Sequence, residues 1–179
     1  MPKSDYEDVI MRKEIIRGML TLEQLRNKVE SGEIETILTV FTDLYGRMMG
    51  KRITGDYFLD HIVKSGMHAC NYLFTVDMEM ETIPGYQFAN WELGYGDVHC
   101  VPDLNTLRQV TWLEKSALVI CDIYDHEGNL IDIAPRNILK KQMNKAIDMG
   151  FLPQGASELE YFIFDESYKE ARQKHYQKL

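Results

Sequence analysis

A run of β-branched residues that ends in a tight turn predicts a β-hairpin in the first part of this chain. Residues Ile34–Thr42 have the composition of a strand. The next four residues, Asp43–Gly46, are of the types that form turns. Arg47–Ile53 then predict the returning strand of a hairpin. The first part of the chain, about residues 15–105, is therefore expected to hold a mixed sheet with one or two helices.

Helices are predicted where apolar residues recur at helical spacing between start and stop signals. Thr21 and Gln24 fit a capping box for a helix that Gly32 ends. A short helix is predicted over Asp56–Ser65, and a longer one over residues 135–150, with proline in its first turn and glycine at its end. The expected apolar face of the longer helix consists of Ile138, Leu139, Met143 and Ile147.

The remaining elements alternate in a way that predicts an α+β fold in two unequal parts. A long irregular stretch, Asp77–Gly96, is of a length that is usually functional or mobile. From about residue 112 onward the pattern is a strand–helix–strand unit, with a turn at Asp125–Asn129. Such a unit cannot cover both faces of its own sheet, which predicts that the second domain is incomplete. The other predicted strands are Cys70–Val76, Asp97–Pro102, Leu107–Val110, Ala117–Tyr124 and Ala156–Phe164.

Composition excludes several classes of protein. The 179 residues carry a formal net charge of -8, which argues against a nucleic-acid binder. No apolar run approaches the roughly 18 residues of a membrane span, and no secretory signal core is visible. The three cysteines have no metal-binding or disulfide spacing and are expected to be reduced, buried thiols. A soluble, cytoplasmic protein is expected.

Glu158 and Glu160 are the strongest candidate for a metal site. On the strand predicted over Ala156–Phe164, residues two apart project to the same face. Two neighbouring carboxylates repel each other, and burying them without a partner is costly. A bound Mg²⁺ or Mn²⁺ ion would remove both costs. The alternative is that both side chains point to water from an edge strand.

Asp43 and Arg136 are the other charged candidates. A carboxylate at a hairpin tip, such as Asp43, is commonly a turn former, and the functional alternative is an anion presented to a cationic substrate. Arg136 follows the proline that starts the longer helix, where it is expected to pair with an acid or orient a loop. A phosphate contact at this helix N-terminus is the alternative.

Three segments, in this order along the chain, resemble the glutamine synthetase family. The first hairpin of the family's N-terminal β-grasp domain is similar to FTDLYGRMMGKRI. The segment that joins this domain to the catalytic domain is similar to WELGYGDVHCVPDLNTLRQVTWLEKSALVICDIYDHEGN. The start of the catalytic domain resembles APRNILKKQMNKAIDMGFLPQGASELEYFIFDESYKEA. The GYGD loop, the TWLE segment and the FDESYKEA ending are most similar to the γ-glutamyl-polyamine synthetase and type III-like branch.

The resemblance implies both a domain division and an activity. Residues 1–20 would be an N-terminal arm, residues 21–108 a β-grasp domain, and residues 109–179 the truncated start of a glutamine-synthetase-type catalytic domain. Members of this family are ligases that condense glutamate with ammonia or another amine, such as a polyamine, with ATP as co-substrate. The γ-carboxylate of glutamate is phosphorylated first, and the amine then attacks the acyl phosphate.

The resemblance also implies roles for the candidate residues. Glu158 and Glu160 match the family's E-x-E metal ligands, with Glu160 on the substrate side and Glu158 on the nucleotide side. Asp43 matches an aspartate that reaches the active site of the neighbouring subunit, where it binds ammonium and helps to remove its proton. A homo-oligomeric ring is therefore implied for the full-length protein.

Family members are much longer than this chain, and their further metal, glutamate and nucleotide ligands lie in the part that follows. The expectation is an N-terminal fragment of a glutamate–amine ligase that is inactive by itself. The alternative is a non-catalytic structural or regulatory module that associates with an intact synthetase ring, because the family also includes members without enzymatic activity.

Overall fold

The predicted hairpin forms one edge of a five-stranded mixed sheet in a computed structural model, which describes residues 18–179. The strands lie in the order β2-β1-β5-β4-β3 across the sheet. Most of the predicted arm, residues 1–20, lies outside the described residues. The five strands are β1 (Thr36–Thr42), β2 (Met48–Thr54), β3 (Met67–Cys70), β4 (Asp97–Gln109) and β5 (Ser116–Tyr124).

Strand β5 is the centre of the sheet. It runs parallel to β1, from the pair Thr36 and Ser116 onward, and antiparallel to β4. The outer pairs, β1 with β2 and β3 with β4, are antiparallel. Because β5 has a neighbour on each side, most of its side chains are buried. The first strand of the strand–helix–strand unit predicted from about residue 112 is confirmed as β5, and it is paired within this sheet.

The main core covers one face of the sheet. Alternate residues of β1 and β5, such as Phe41 and Val119, point into it. Helix α1 (Leu22–Glu30) contributes Leu25, which is completely buried. Its predicted capping box is confirmed, since the Thr21 hydroxyl accepts from the Gln24 N–H and the Gln24 side chain accepts from the Thr21 N–H. The opposite face carries a smaller apolar cluster around Val40 and Leu118.

The predicted short helix is confirmed as a continuous helical stretch between β2 and β3. It begins with Gly55–Tyr57, passes through a π-helical turn at Phe58–Ile62 and ends with Val63–Ser65. The π turn places three apolar side chains in the core. They are Phe58, Leu59 and Ile62.

Two strand predictions on the far side of the sheet need correction. The strand expected over Cys70–Val76 is wrong, because pairing with β4 ends at Cys70 and a 3₁₀ turn, Asn71–Phe74, carries the Phe74 ring into the core. The two short strands expected over residues 97–102 and 107–110 are one strand, β4. An irregularity between Asp103 and Arg108 interrupts its register with β5, which explains why the sequence reads as two pieces.

The C-terminal third follows the predicted helix but not the predicted strand. Helix α2 (Pro135–Asp148) is confirmed, but its expected apolar face is half-exposed or exposed, and Asn137 is its one buried residue. The strand predicted over Ala156–Phe164 is wrong, since this stretch has no regular secondary structure and is exposed. A short helix, α3 (Tyr168–Gln173), was not predicted, although Ser167 and Glu170 form a capping box for it. None of the helices within residues 18–179 is long and apolar enough to span a membrane.

Candidate functional site

Asp43 lies at the tip of the β1–β2 hairpin with its side chain 1% exposed. Its Oδ1 atom accepts hydrogen bonds from the backbone N–H groups of Tyr45, at 2.9 Å, and Arg47, at 2.8 Å. Its Oδ2 atom accepts from Nε of Arg47 at 2.7 Å. The sequence predicts a turn former at this position, and the carboxylate does close the turn.

Arg47 joins this hairpin tip to the long loop that follows β3. While Nε contacts Asp43, Nη1 donates to the carbonyl oxygen of Met78 and Nη2 to that of Asp77, each at 2.9 Å. The guanidinium also lies 5.2 Å from the centre of the Tyr45 ring. A planar group with donors on three sides can make all these contacts at once. Sequence reasoning missed this role of Arg47, because its two carbonyl partners lie 30 and 31 residues away.

The Asp43 carboxylate therefore has a structural function and retains some accepting capacity. An ionised carboxylate offers about four acceptor positions, of which three are used here. One acceptor position therefore remains for a cationic ligand.

Glu158 and Glu160 lie in the exposed, irregular stretch between α2 and α3. No strand lies on either side of this stretch, and the backbone of residues 152–166 makes no hydrogen bond with another described residue. The strand geometry that would set both carboxylates on one face is thus not formed. No group of three or more His, Cys, Asp or Glu side chains suited to a metal ion occurs within residues 18–179.

A second charged cluster fixes helix α2 against β4 and β5. Arg136 donates from Nε to Oδ1 of Asp122 at 2.9 Å and from Nη2 to Asp103. Lys140 donates to Oδ2 of Asp122 at 2.5 Å. The prediction that Arg136 pairs with an acid is confirmed. The spacing of Arg136 and Lys140, one helical turn apart, is the sequence signal that could have identified Lys140 as well.

The cysteines differ in exposure. Cys100 and Cys121 are buried on neighbouring strands, whereas Cys70 is exposed at the end of β3. Burial raises the pKa of the Cys100 thiol from 9.0 to about 12, and it raises the pKa of Cys121 as well. Neither buried thiol is therefore a nucleophile at neutral pH. The expectation of buried, reduced thiols is confirmed for these two and wrong for Cys70.

Comparison with proteins of known function finds relatives that match most of this chain. The sequence is 36% identical to gamma-glutamylethanolamide synthetase GlnA4 of Streptomyces coelicolor, over 89% of this chain and 35% of that protein. It is 35% identical to glutamate–isopropylamine ligase of a Pseudomonas species, over 80% of this chain and 31% of that protein. It is 28% identical to glutamine synthetase of Thermotoga maritima, over 80% of this chain and 30% of that protein. The chain thus spans about a third of the length of the curated relatives it matches. No family model matches it.

Comparison with solved structures finds a similar fold. The chain superposes on the crystal structure of a novel glutamine synthase homologue with a TM-score of 0.56. The match covers 65% of this chain and 27% of that one, at 16% identity. Such a likeness describes the fold alone.

Proposed function

Because this chain belongs to the glutamine synthetase family, we propose that it is the N-terminal part of an ATP-dependent ligase that joins glutamate to an amine. The observation that carries this proposal is the 36% identity with a gamma-glutamylethanolamide synthetase over 89% of the chain. The names of two relatives refer to small organic amines, as an ethanolamide in one and as isopropylamine in the other. We therefore propose a small alkylamine, rather than ammonia alone, as the second substrate.

The sheet order supports a β-grasp assignment for the first domain. A parallel central pair, β1 and β5, is flanked by antiparallel neighbours, and a helix follows the first hairpin. The resemblance implies a domain boundary between residues 108 and 109, which falls inside β4, one residue before its end. We place it after Tyr124 instead, so that β5 stays with the sheet that it completes.

The reaction would proceed in two steps. An oxygen of the glutamate γ-carboxylate takes the terminal phosphoryl group of ATP, which gives ADP and an acyl phosphate. The lone pair of the amine then attacks the acyl carbon, phosphate leaves, and the nitrogen loses a proton. Asp43 would attract the ammonium form of the amine through its remaining acceptor position and accept that proton, as a carboxylate can do. In a ring, this tip would belong to the active site of the neighbouring subunit.

Glu158 and Glu160 fit the hard oxygen donors that Mg²⁺ and Mn²⁺ prefer. Neither carboxylate is paired with a described residue, so both are available as ligands. We propose that Glu160 contributes to the substrate-side metal and Glu158 to the nucleotide-side metal. Such ions, when bound, neutralise the charge that builds up between carboxylate and phosphate oxygens. Two carboxylates are too few to form a complete site, so we expect the 179-residue chain alone to show no turnover.

The test measures native mass and ATP turnover on the same sample of the 179-residue chain. Glutamate and Mn²⁺ are supplied with ammonium, ethanolamine, isopropylamine or putrescine. We expect no turnover from this chain, and amine-dependent phosphate release from a gene product that spans the length of the relatives. Turnover by the short chain would contradict the need for further ligands. A long gene product that is inactive with every amine would contradict the ligase assignment.

A non-catalytic module is the second candidate, and the bonding of Asp43 favours it. Three of its acceptor positions serve the turn and Arg47, so the residue has a structural use that needs no substrate. Asp43→Asn in the long gene product distinguishes the two. A loss of turnover greater than 100-fold at unchanged melting temperature supports catalysis. Parallel losses of turnover and stability support the structural role alone. The matched control is Asp125→Asn, at another turn, where the carboxylate accepts from the Asn129 N–H at 2.7 Å.

A further inference from the structure

The loop between β3 and β4 contains an aromatic cavity that neither Asp43 nor the Glu158–Glu160 pair lines. The cavity measures about 300 Å³. Its walls include the rings of Trp91 and Tyr95 and the carboxylate-bearing residue Glu92. We propose that this cavity binds a small alkylammonium ion, with the aromatic rings and Glu92 as its recognition elements.

The loop is anchored at several points along its length, so the cavity has a defined frame. The Ile83 N–H donates to the Thr75 carbonyl at 2.9 Å near the start of the loop. At the end of the loop, Asn71 and Gly96 exchange two hydrogen bonds, at 2.9 and 3.2 Å. Between these points Ala89 is buried in the protein.

The aromatic rings meet edge to face, which leaves ring faces available to a ligand. The Trp91 and Tyr95 ring centres are 5.2 Å apart at an interplanar angle of 76°. Tyr72 adds a third ring, 5.6 Å from Tyr95 at 79°. Trp91 is nevertheless 79% exposed, so most of its surface is not used in packing against the described residues. A cation above an indole or phenol face is attracted by the negative charge of the π system.

The charge around the cavity favours a cation over an anion or a neutral molecule. Glu92 is the one charged residue among those that line the cavity. Glu92 forms no ion pair or hydrogen bond with a described residue, so its carboxylate is free to accept from an ammonium group. By contrast, the Asn90 side chain is occupied within the loop, since it donates to the Tyr86 carbonyl at 2.7 Å and accepts from the Leu93 N–H at 2.8 Å.

These features together define the class of ligand. The aromatic walls suit a short alkyl chain, the ring faces and Glu92 suit a positive charge, and the volume of about 300 Å³ has room for a small molecule. Propylammonium is the probe that matches all three requirements. Its neutral isostere, 1-propanol, has the same shape without the charge.

The experiment follows Trp91 fluorescence in the 179-residue chain. The chain has two tryptophans, so Trp112→Phe leaves Trp91 as the only reporter. Titration with propylammonium at constant ionic strength should give a saturable change with a Kd on the order of 1 mM, as expected for a ligand of this size. Neither 1-propanol nor KCl should give a saturable change.

Variants in the same background locate the binding. Glu92→Gln should weaken propylammonium binding at least fivefold, and Tyr95→Leu should do the same. Glu81→Gln, which removes an exposed carboxylate of the same loop that does not line the cavity, is the matched control and should change the Kd less than twofold. Glu92 and Glu81 are both exposed, so neither variant disturbs a packed region. No saturable change with propylammonium, equal responses to propylammonium and 1-propanol, or an unchanged Kd in Glu92→Gln would each overturn the proposal.

Discussion

Arg47 links two segments that are distant in sequence, and its shape is what makes this possible. Its three donor nitrogens contact the Asp43 carboxylate and two carbonyl oxygens of the following loop. A lysine has the same charge but only one nitrogen, so it cannot contact a carboxylate and two separate carbonyls in this geometry. The hairpin tip and the loop are therefore held as one unit by the geometry of a single side chain.

We expect Arg47→Lys to lower the free energy of unfolding by about 1–3 kcal/mol, because charged hydrogen bonds are lost and the buried Asp43 keeps a poorer partner. Urea denaturation followed by circular dichroism measures the change. The matched control is Arg52→Lys on β2, an exposed arginine, which should change the free energy by less than about 0.5 kcal/mol. Equal changes in the free energy of unfolding for the two substitutions would show that the Arg47 contacts do not contribute to stability.

The three thiols should differ sharply in reactivity. Cys70 is exposed, whereas Cys100 and Cys121 are buried and their pKa values are raised. A thiol reagent at pH 8 should label one thiol per native chain within minutes and all three in denaturant. Cys70→Ser should abolish the fast phase alone. Fast labelling of two or more thiols in the native chain would contradict the burial.

The same thiols make stability depend on pH in the alkaline range. The folded chain holds the Cys100 proton up to a pKa of about 12, whereas an unfolded thiol ionises near 9.0. The unfolded state therefore binds fewer protons above pH 9, and stability should fall as the pH rises from about 9 towards 12. Urea midpoints at pH 8 and pH 10.5 measure this fall. In Cys100→Ala, the urea midpoint should fall less between pH 8 and pH 10.5 than it does in the wild-type chain.

Helices and strands form as predicted where their own residues carry the turn or capping signal. The β1–β2 hairpin and helix α1 carry their own signals, a turn at Asp43–Gly46 and a capping box at Thr21, and both form as predicted. The Ala156–Phe164 stretch has strand composition but no neighbouring strand, and a strand without hydrogen-bonded partners is not stable. The apolar face of α2 is periodic in sequence but has little to pack against among the described residues. Pairing and packing partners are properties of the fold, and they cannot be inferred from one segment.

Helix α2 is instead held to the sheet by polar contacts. Its buried Asn137 donates to the carbonyl oxygens of Ile123 and Ile131, at 2.8 and 3.0 Å. Arg136 and Lys140 bind the two oxygens of Asp122 on β5. Because this ion-pair cluster is mostly shielded from water, its contacts depend strongly on the position of the helix.

We expect Asp122→Asn to lower the free energy of unfolding by about 2 kcal/mol, because it leaves Arg136 and Lys140 with Asp103 as their one carboxylate partner. The matched control is Asp132→Asn, which removes an exposed carboxylate 3.5 Å from Lys141 and should cost less than about 1 kcal/mol. Hydrogen exchange of the α2 amides should accelerate in the first variant alone. Equal stability of the two variants would show that the cluster does not hold the helix.

At the scale of the whole molecule, the distribution of apolar surface is uneven. The sheet and α1 bury their apolar residues in one core, whereas the stretch between α2 and α3 exposes a row of large apolar side chains. Phe162 is 88% exposed and Ile163 is 86% exposed. A contiguous exposed apolar segment of high β-propensity is a site of association. The net charge of -8 opposes association at low salt, and this repulsion weakens as salt is added.

We therefore expect the 179-residue chain to self-associate through this stretch, and more strongly at high salt. Replacing Phe162 and Ile163 together by serine should restore a monomer in light scattering at 0.5 M NaCl. It should shift the melting temperature of the sheet by no more than about 2 °C, because neither side chain packs in the core. The matched control is Leu44→Ser, which removes a half-exposed apolar side chain at the hairpin tip and should leave the association unchanged. A wild-type chain that stays monomeric at high salt, or a double variant that still associates, would mean that another surface governs the assembly of this chain.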